Sequence, residues 1–342
     1  MSLYTTTALA LALTAMDRPQ AFLRDTFFPN NIFSETEEIA IDKLLTRKKM
    51  APFVSPDVPA KERAIRGRKV ETFAPATLKP MGTVRPGGLL KRAHGEEFGA
   101  NPAPADRKLG AINQLLSDQD DEITRREEWM CSHALRSGIV TVSGEDYETQ
   151  IVDYGRDPEQ TIILLGASRW GEPGVSIFDD ISDWSTLVQT KSGGVVTRIV
   201  LGSGAARLFQ KDDEVKEALN NRRQSDGVLQ FGPVATGGED NHAAYLGSIG
   251  QFDFYTYSQF FENDDGSQFE VWPEFGVGVV AQNVFAGNMA YGAILEMDVL
   301  LAVSRYPKNF ETQNPSREHI ITHSAPLPVP AEIAGSLFAL VR

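Results

Sequence analysis

The clearest periodicity in the chain lies between Ala105 and Arg136, where Leu109, Ile112, Leu116, Ile123, Met130 and Ala134 recur at steps of three, four or seven. That spacing predicts one long helix with a single apolar stripe. No proline interrupts it, Gly110 is its weak point, and Gly138 supplies a stop. At about 1.5 Å per residue the rod spans roughly 45–50 Å, so it is expected to act as a spine. Asp121 with Arg125, and Glu122 with Arg126, add i,i+4 pairs in the favourable order. Downstream, IVTVSGEDYETQIVDYG predicts a hairpin turned at Gly144–Asp146. Residues 176–192 then read as a helix, 195–203 as a buried strand and 206–221 as an amphipathic helix. From 228 to 281 the pattern turns to strands, with a hairpin around Asp264–Gly266, and the rest of the chain keeps that character.

The first residues, MSLYTTTALALALTAMDRP, contain an apolar run of signal-peptide length, but no Lys or Arg precedes it. It is also too short to cross a bilayer. A short helix opened at Thr5–Thr7 and stopped by Pro19 is predicted, in a chain expected to be soluble and not exported. Residues 20–45 carry Phe22, Leu23, Phe27, Phe28, Ile32, Phe33, Ile39, Ile41 and Leu44 without a single period, so an extended arm lying on another surface is expected. Residues 46–92 hold the strand-like pieces APFVS, KVETFA and ATLKPM, broken by prolines 52, 56, 59, 75, 80 and 86. Prolines at that frequency exclude a central strand and fit a long two-stranded flap. Such a ribbon is marginal on its own, so it calls for a partner.

Charge identifies the partner. The 342-residue chain has a formal net charge of −13. Yet twelve basic residues (Arg47, Lys48, Lys49, Lys61, Arg63, Arg66, Arg68, Lys69, Lys79, Arg85, Lys91 and Arg92) face three acids, Asp57, Glu62 and Glu71, in the flap. The flap is thus at +9 and the remainder at −22. A basic limb on an acidic body favours contacts between copies of the chain, with Lys61, Arg63, Arg66, Arg68 and Lys69 as the intersubunit contacts of the flap. Repeated head to tail, that contact builds a ring or shell. Nucleic acid is the weaker match for the flap 47–92. Only Phe53 and Phe73 could stack on bases, and a body at −22 repels a polyanion.

No catalytic constellation emerges, and no cofactor or metal is expected. Gly202–Ser203–Gly204 sits where a phosphate loop would, but Arg207 replaces the third glycine of the fingerprint, so a tight turn at a helix cap is expected. His319 and His323 in HIITH lie in a β-branched context with no Cys or third His nearby. The acids Asp118, Asp120, Asp121 and Glu122 fall on successive helix faces and are expected to be a solvated or partner-facing surface. Neither G-x-S-x-G nor calcium-loop spacing occurs. Cys131 is the single cysteine, which excludes an intrachain disulfide and is expected to be a buried small residue.

Several blocks, in order, resemble the lambda-type phage major capsid (major head) protein family. They are MSLYTT, FLRDTFFPNNIFSETEEIAID, the flap with FVSPDV and FAPATLKP, SRYPKNF (304–310), NPSRE (314–318) and HSAPLP (323–328). The core of the motif is Arg305, Tyr306, Pro307, Lys308 and Asn309; Phe310 stands where the family has Trp. The resemblance implies an α+β, HK97-like phage capsid fold. Its parts would be an N-terminal arm at 1–45, an extended β-hairpin loop at 46–97, and a peripheral domain at 98–200 with the spine helix at 104–137. An axial domain would take 201–295, and 296–342 would return to the peripheral domain. Phe22, Phe27, Phe28 and Phe33 would pin the arm between subunits. The implied partners are copies of the chain in hexamers and pentamers, a separate scaffolding protein, a decoration protein, the portal, and packaged DNA touched non-specifically. Because the likeness begins at residue 1, no fused scaffolding domain is expected. The virion would be the final location, with assembly in the host cytoplasm. A cellular nanocompartment shell on the same fold is the alternative the resemblance leaves open.

Overall fold

The structure is a computed structural model that describes residues 6–16, 21–34, 36, 38–44, 68–91, 103–144, 147–216, 234–235, 243–262, 266–296 and 302–342. Its longest element is the predicted spine, a helix at Pro104–Ser137. Pro104 occupies the first helical turn, where its missing N–H costs nothing. Gly138 closes the helix in the left-handed conformation, φ 69°, with its N–H on the Ala134 carbonyl. Ile112, Leu116, Ile123, Met130 and Ala134 are buried as the stripe requires, whereas Leu109 near the start is exposed. The helix also buries Gln119, Asp120, Thr124, Glu127, Glu128 and Ser132, so its second half is enclosed on more than one side.

Around the first half of the spine lies a small α/β layer. Strands Met81–Val84, Tyr306–Gln313 and Ser316–His323 form an antiparallel sheet with Ser316–His323 in the middle. The N-terminal helix Thr6–Ala15 joins it, and Leu9, Leu13, Val84, Ile112, Leu116 and Ile320 make one core.

The second body is a seven-stranded sheet. Its order is Thr161–Ile163, Ser336–Leu340, Gly276–Val280, Arg198–Leu201, Phe252–Tyr257, Ala243–Ile249 and Val234–Ala235. Gly276–Val280 is buried along its whole length, which explains a run of valines without alternation. Helices Ile177–Ser192 and Ser203–Lys211 cover this sheet through Ile181, Val188, Ala205 and Phe209. Ser176 caps the first of them by accepting the Asp179 N–H, and Gly193 ends it at φ 70°. A third core, containing Phe22, Phe27, Met130, Tyr257, Trp272 and Phe285, ties the spine to the sheet.

Several expectations change. The segment 20–45 is not uniformly extended: it contains the short helix Phe22–Phe27, then strands Asn30–Phe33 and Ile39–Leu44. The flap takes its first base strand from that arm, since Ile39–Leu44 pairs antiparallel with Arg68–Phe73. The boundary expected at 200/201 cuts through the strand Arg198–Leu201. The C-terminal strand Ser336–Leu340 lies inside the seven-stranded sheet, paired in parallel with Thr161–Ile163 of the range 98–200 and antiparallel with Gly276–Val280. The helix expected at 206–221 begins at Ser203 and is interrupted at Asp212, which turns extended and whose carboxylate accepts the Glu214 and Val215 N–H groups as helical structure resumes at 213–216; 217–221 lie outside the described residues.

Candidate functional site

The polar residues buried on the spine converge on two arginines from distant parts of the chain. Asp120, Thr124 and Glu127 follow one another at helical spacing and meet Arg305. Its Nε donates to Asp120 Oδ1 at 2.6 Å, Nη1 to Glu127 Oε1 at 2.6 Å and Nη2 to Thr124 Oγ1 at 3.0 Å. Nη1 also reaches the Ser304 carbonyl. The other oxygen of Glu127 receives Arg24 Nη1 at 2.9 Å, and Tyr291 donates its hydroxyl to Oε1 at 3.1 Å. Arg305, Asp120 and Glu127 are buried, and the Arg24 side chain is 13% exposed. Burial disfavours the Glu127 carboxylate, but Arg305 and Arg24 outweigh it and hold the group below the usual carboxylate range. Burial likewise works against the Arg305 charge, and Glu127 with Asp120 reverses the effect.

Glu128, next on the spine, does different work. Its oxygens accept the Leu23 N–H at 2.8 Å and the Arg24 N–H at 2.9 Å, so a spine side chain caps the short helix Phe22–Phe27 in place of a local N-cap, which that helix lacks. Gln119 fixes the other end of the layer: its Nε2 donates to the Ile320 carbonyl and its Oε1 accepts from Thr322. The arrangement is a lock, joining the N-terminal segment, the spine and the C-terminal ribbon.

Of the motif residues, Arg305 enters this lock as its centre and the others make separate contacts. Tyr306 and Pro307 are buried, Tyr306 edge-on to His323 with centroids 6.1 Å apart. Lys308 donates to Glu296 at 2.6 Å, and Asn309 donates to Glu318 at 3.1 Å. Lys108 of the spine reaches the same Glu318 at 2.5 Å.

Of the arm aromatics, Phe22, Phe27 and Phe28 are buried within the chain itself, Phe22 stacked on Tyr257 and Phe28 edge-on to Phe285. This corrects their placement between subunits, because the short helix turns them onto the chain's own core. Phe33 is 51% exposed and stacks on Tyr291. In the flap, Arg68 and Lys69 lie in the strand opposite Leu44 and Lys43, while Lys61, Arg63 and Arg66 lie outside the described residues.

Asp120, Glu127, Glu128 and Arg24 were not singled out as site residues. Asp120 is buried, contrary to the solvated surface expected for its run, while Asp118 and Glu122 are exposed. The available signal was position: Asp120 and Glu127 occupy steps of four from Leu116 and Ile123, inside the apolar stripe. The Gly202–Ser203–Gly204 loop is filled by the chain. The Glu274 carbonyl accepts both the Gly204 and Ala205 N–H groups, and a Cβ on Gly202 would come within 2.2 Å of the Pro273 carbonyl oxygen. His319 stacks on Phe310 and contacts Thr83, and among the described residues no three metal-ligating side chains gather.

The model of the family described as phage major capsid protein E matches residues 5–341. The chain belongs to that family. Over 334 residues it is 32% identical to the major capsid protein of Escherichia phage N15, and over 338 residues 31% identical to that of Escherichia phage lambda. Each comparison covers 96% of this chain and 96% of the relative. A solved structure of a prophage protein of Escherichia coli CFT073, described as a capsid protein, superposes with a TM-score of 0.76 at 20% identity, covering all of both chains. The fold is the α+β, HK97-like fold of phage capsid proteins. In this member of the capsid protein E family, the spine carries the lock at the junction of both chain ends.

Proposed function

We propose that this chain is the building block of an icosahedral phage head, joining into hexamers and pentamers whose closed shell encloses double-stranded DNA. The observation that carries this reading is membership of the capsid protein E family across residues 5–341. The lock supports it physically. Two guanidiniums, one from each end of the chain, bind one spine carboxylate, which makes a stiff unit suited to repetition.

In this reading the ribbon rooted in Ile39–Leu44 and Arg68–Phe73 crosses to an acidic flank of a neighbouring copy, where Lys61, Arg63, Arg66, Arg68 and Lys69 meet opposite charge. Phe33, the exposed aromatic of the arm, takes the intersubunit role first expected of four. Obligate interfaces of this kind bury roughly 2,000–5,000 Å². A separate scaffolding protein guides assembly in the host cytoplasm, a portal occupies one vertex, and a decoration protein stabilises the mature virion shell. DNA inside meets the subunits without sequence preference.

Expression of the chain together with its scaffold, followed by electron microscopy, tests the proposal. Closed shells built from hexamers and pentamers are expected; a chain that stays monomeric under those conditions overturns it.

A further inference from the structure

We infer that Glu128 is carried as a neutral carboxylic acid in the folded chain, and that loss of its proton releases the short helix Phe22–Phe27 from the spine. The first argument is a count of hydrogens. Glu128 Oε1 lies 2.7 Å from the Tyr257 hydroxyl oxygen, and that oxygen lies 2.6 Å from Gln259 Oε1. A phenol has one proton to give, yet it stands between two acceptors. A proton on Glu128 Oε1 resolves the conflict. The acid donates to Tyr257, Tyr257 donates to Gln259, and the two acid oxygens still accept from Leu23 and Arg24.

Charge balance is the second argument. In this buried region the guanidiniums of Arg24 and Arg305 are matched by the carboxylates of Asp120 and Glu127. An ionised Glu128 would add an unmatched negative charge beside Glu127. The groups facing Glu128 are Arg24 and Asp25 from the short helix, Glu127 and Cys131 from the spine, and Tyr257 from the sheet, with Arg305 and Tyr291 beyond Glu127. Arg24 is engaged by Glu127 and Asp25, and burial keeps Cys131 and Tyr257 neutral. Burial also pushes the Glu128 carboxyl up, against the opposing pull of the Leu23 and Arg24 N–H groups, the Tyr257 hydroxyl and the Arg24 charge.

The proton therefore conditions docking. The capped helix leads directly into Asn30–Phe33, itself paired with Asn288–Tyr291, and then into the base strand of the flap, so its release loosens the N-terminal side of that segment. The sign follows from linkage. With the folded value above the ordinary one of about 4.3, docking is fully supported below that value and is lost as pH rises through the folded value.

Infrared spectroscopy of the full chain at neutral pH tests the inference. A carboxylic-acid carbonyl band is expected that moves on labelling with ¹³C-glutamate and shifts again in Tyr257→Phe, where the acid loses its acceptor. The Tyr257→Phe shift separates Glu128 from Glu270 and Glu332, which burial also pushes up. Trypsin cleavage after Arg24, normalised to an unstructured peptide, is expected to rise about tenfold per pH unit until the folded value is passed. Absence of the band at neutral pH, as an ionised Glu128 with a rotated Gln259 amide would give, overturns the inference. So does a band unmoved by Tyr257→Phe, or cleavage that is flat with pH.

Discussion

Arg24 and Arg305 come from opposite ends of the chain and grip the two oxygens of one carboxylate, Glu127, at 2.9 and 2.6 Å. The geometry makes Glu127 the one carboxylate shared by both: Arg305 is buried and keeps Asp120 as its other partner, and Arg24, 13% exposed, keeps Asp25. Removing one partner of a buried pair costs more than the pair was worth, because the remaining charge stays desolvated. Glu127→Gln is therefore expected to destabilise the subunit by about 3–5 kcal/mol in chemical denaturation. Asp121→Asn, which breaks the surface pair with Arg125 at 3.7 Å, should cost no more than about 0.5 kcal/mol. Comparable losses from the two variants would refute the lock.

The same carboxylate sets a pH dependence. Its folded value lies below its ordinary one, so its contribution is present above about 4.3 and is lost as pH falls through the folded value. His133 acts over a higher window. Burial, then Arg136, push its imidazole down to about 4, so the unfolded chain takes up the proton first. Stability is expected to fall as pH drops from about 6.5 toward 4. His133→Gln should flatten that part of a denaturation series while leaving the decline below it, and an unchanged slope would rule out this assignment.

Much of this was legible in the sequence because it is local. The spine, its stop at Gly138, the hairpin at 139–153 and the capped helix from Ile177 all follow from period and punctuation within a few residues. The lock was not, because a carboxylate on an amphipathic helix looks the same whether it faces water or an arginine far away in sequence. Only the tertiary fold brings Arg305 to Asp120. The Phe-rich arm illustrates the same limit. Its apolar character was plain, but whether Phe22, Phe27 and Phe28 cover this chain or another depended on the short helix and on its cap, Glu128.

Two glycines in the spine region test the backbone account in opposite directions. Gly138 holds φ 69°, and a Cβ there would lie 2.7 Å from the Arg156 Cβ. Arg156 is itself pinned, donating to the Leu135 carbonyl at 2.7 Å and the Arg136 carbonyl at 2.9 Å. Gly138→Ala is therefore expected to cost about 1–3 kcal/mol or more. Gly110 lies inside the helix, and a Cβ there would meet nothing within 4 Å. Gly110→Ala should stabilise by about 0.5–1 kcal/mol. Thermal denaturation of the two variants reads both signs, and a gain at Gly138 would contradict the structure.

The flap supplies the prediction that separates folding from assembly. Its two base strands are held by backbone pairing from Ile39↔Phe73 to Leu44↔Arg68, so charge reversal at Arg68, in the last pair, and at Arg63 and Arg66, outside the described residues, leaves the pairing groups in place. In the proposed assembly the ribbon, only marginally stable alone, rests on an oppositely charged surface of a neighbour: residues 47–92 sum to +9 and the remainder of each copy to −22. Reversing Arg63, Arg66 and Arg68 to Glu turns attraction into repulsion without touching the spine, the lock or either sheet core. The triple variant is expected to show the circular dichroism and denaturation midpoint of the parent, yet to yield no closed shells with its scaffold. Restoring charge complementarity from the other side, with lysines replacing acids on the receiving flank, should recover some assembly. Normal shells from the triple variant alone would mean that the ribbon docks by shape rather than by charge.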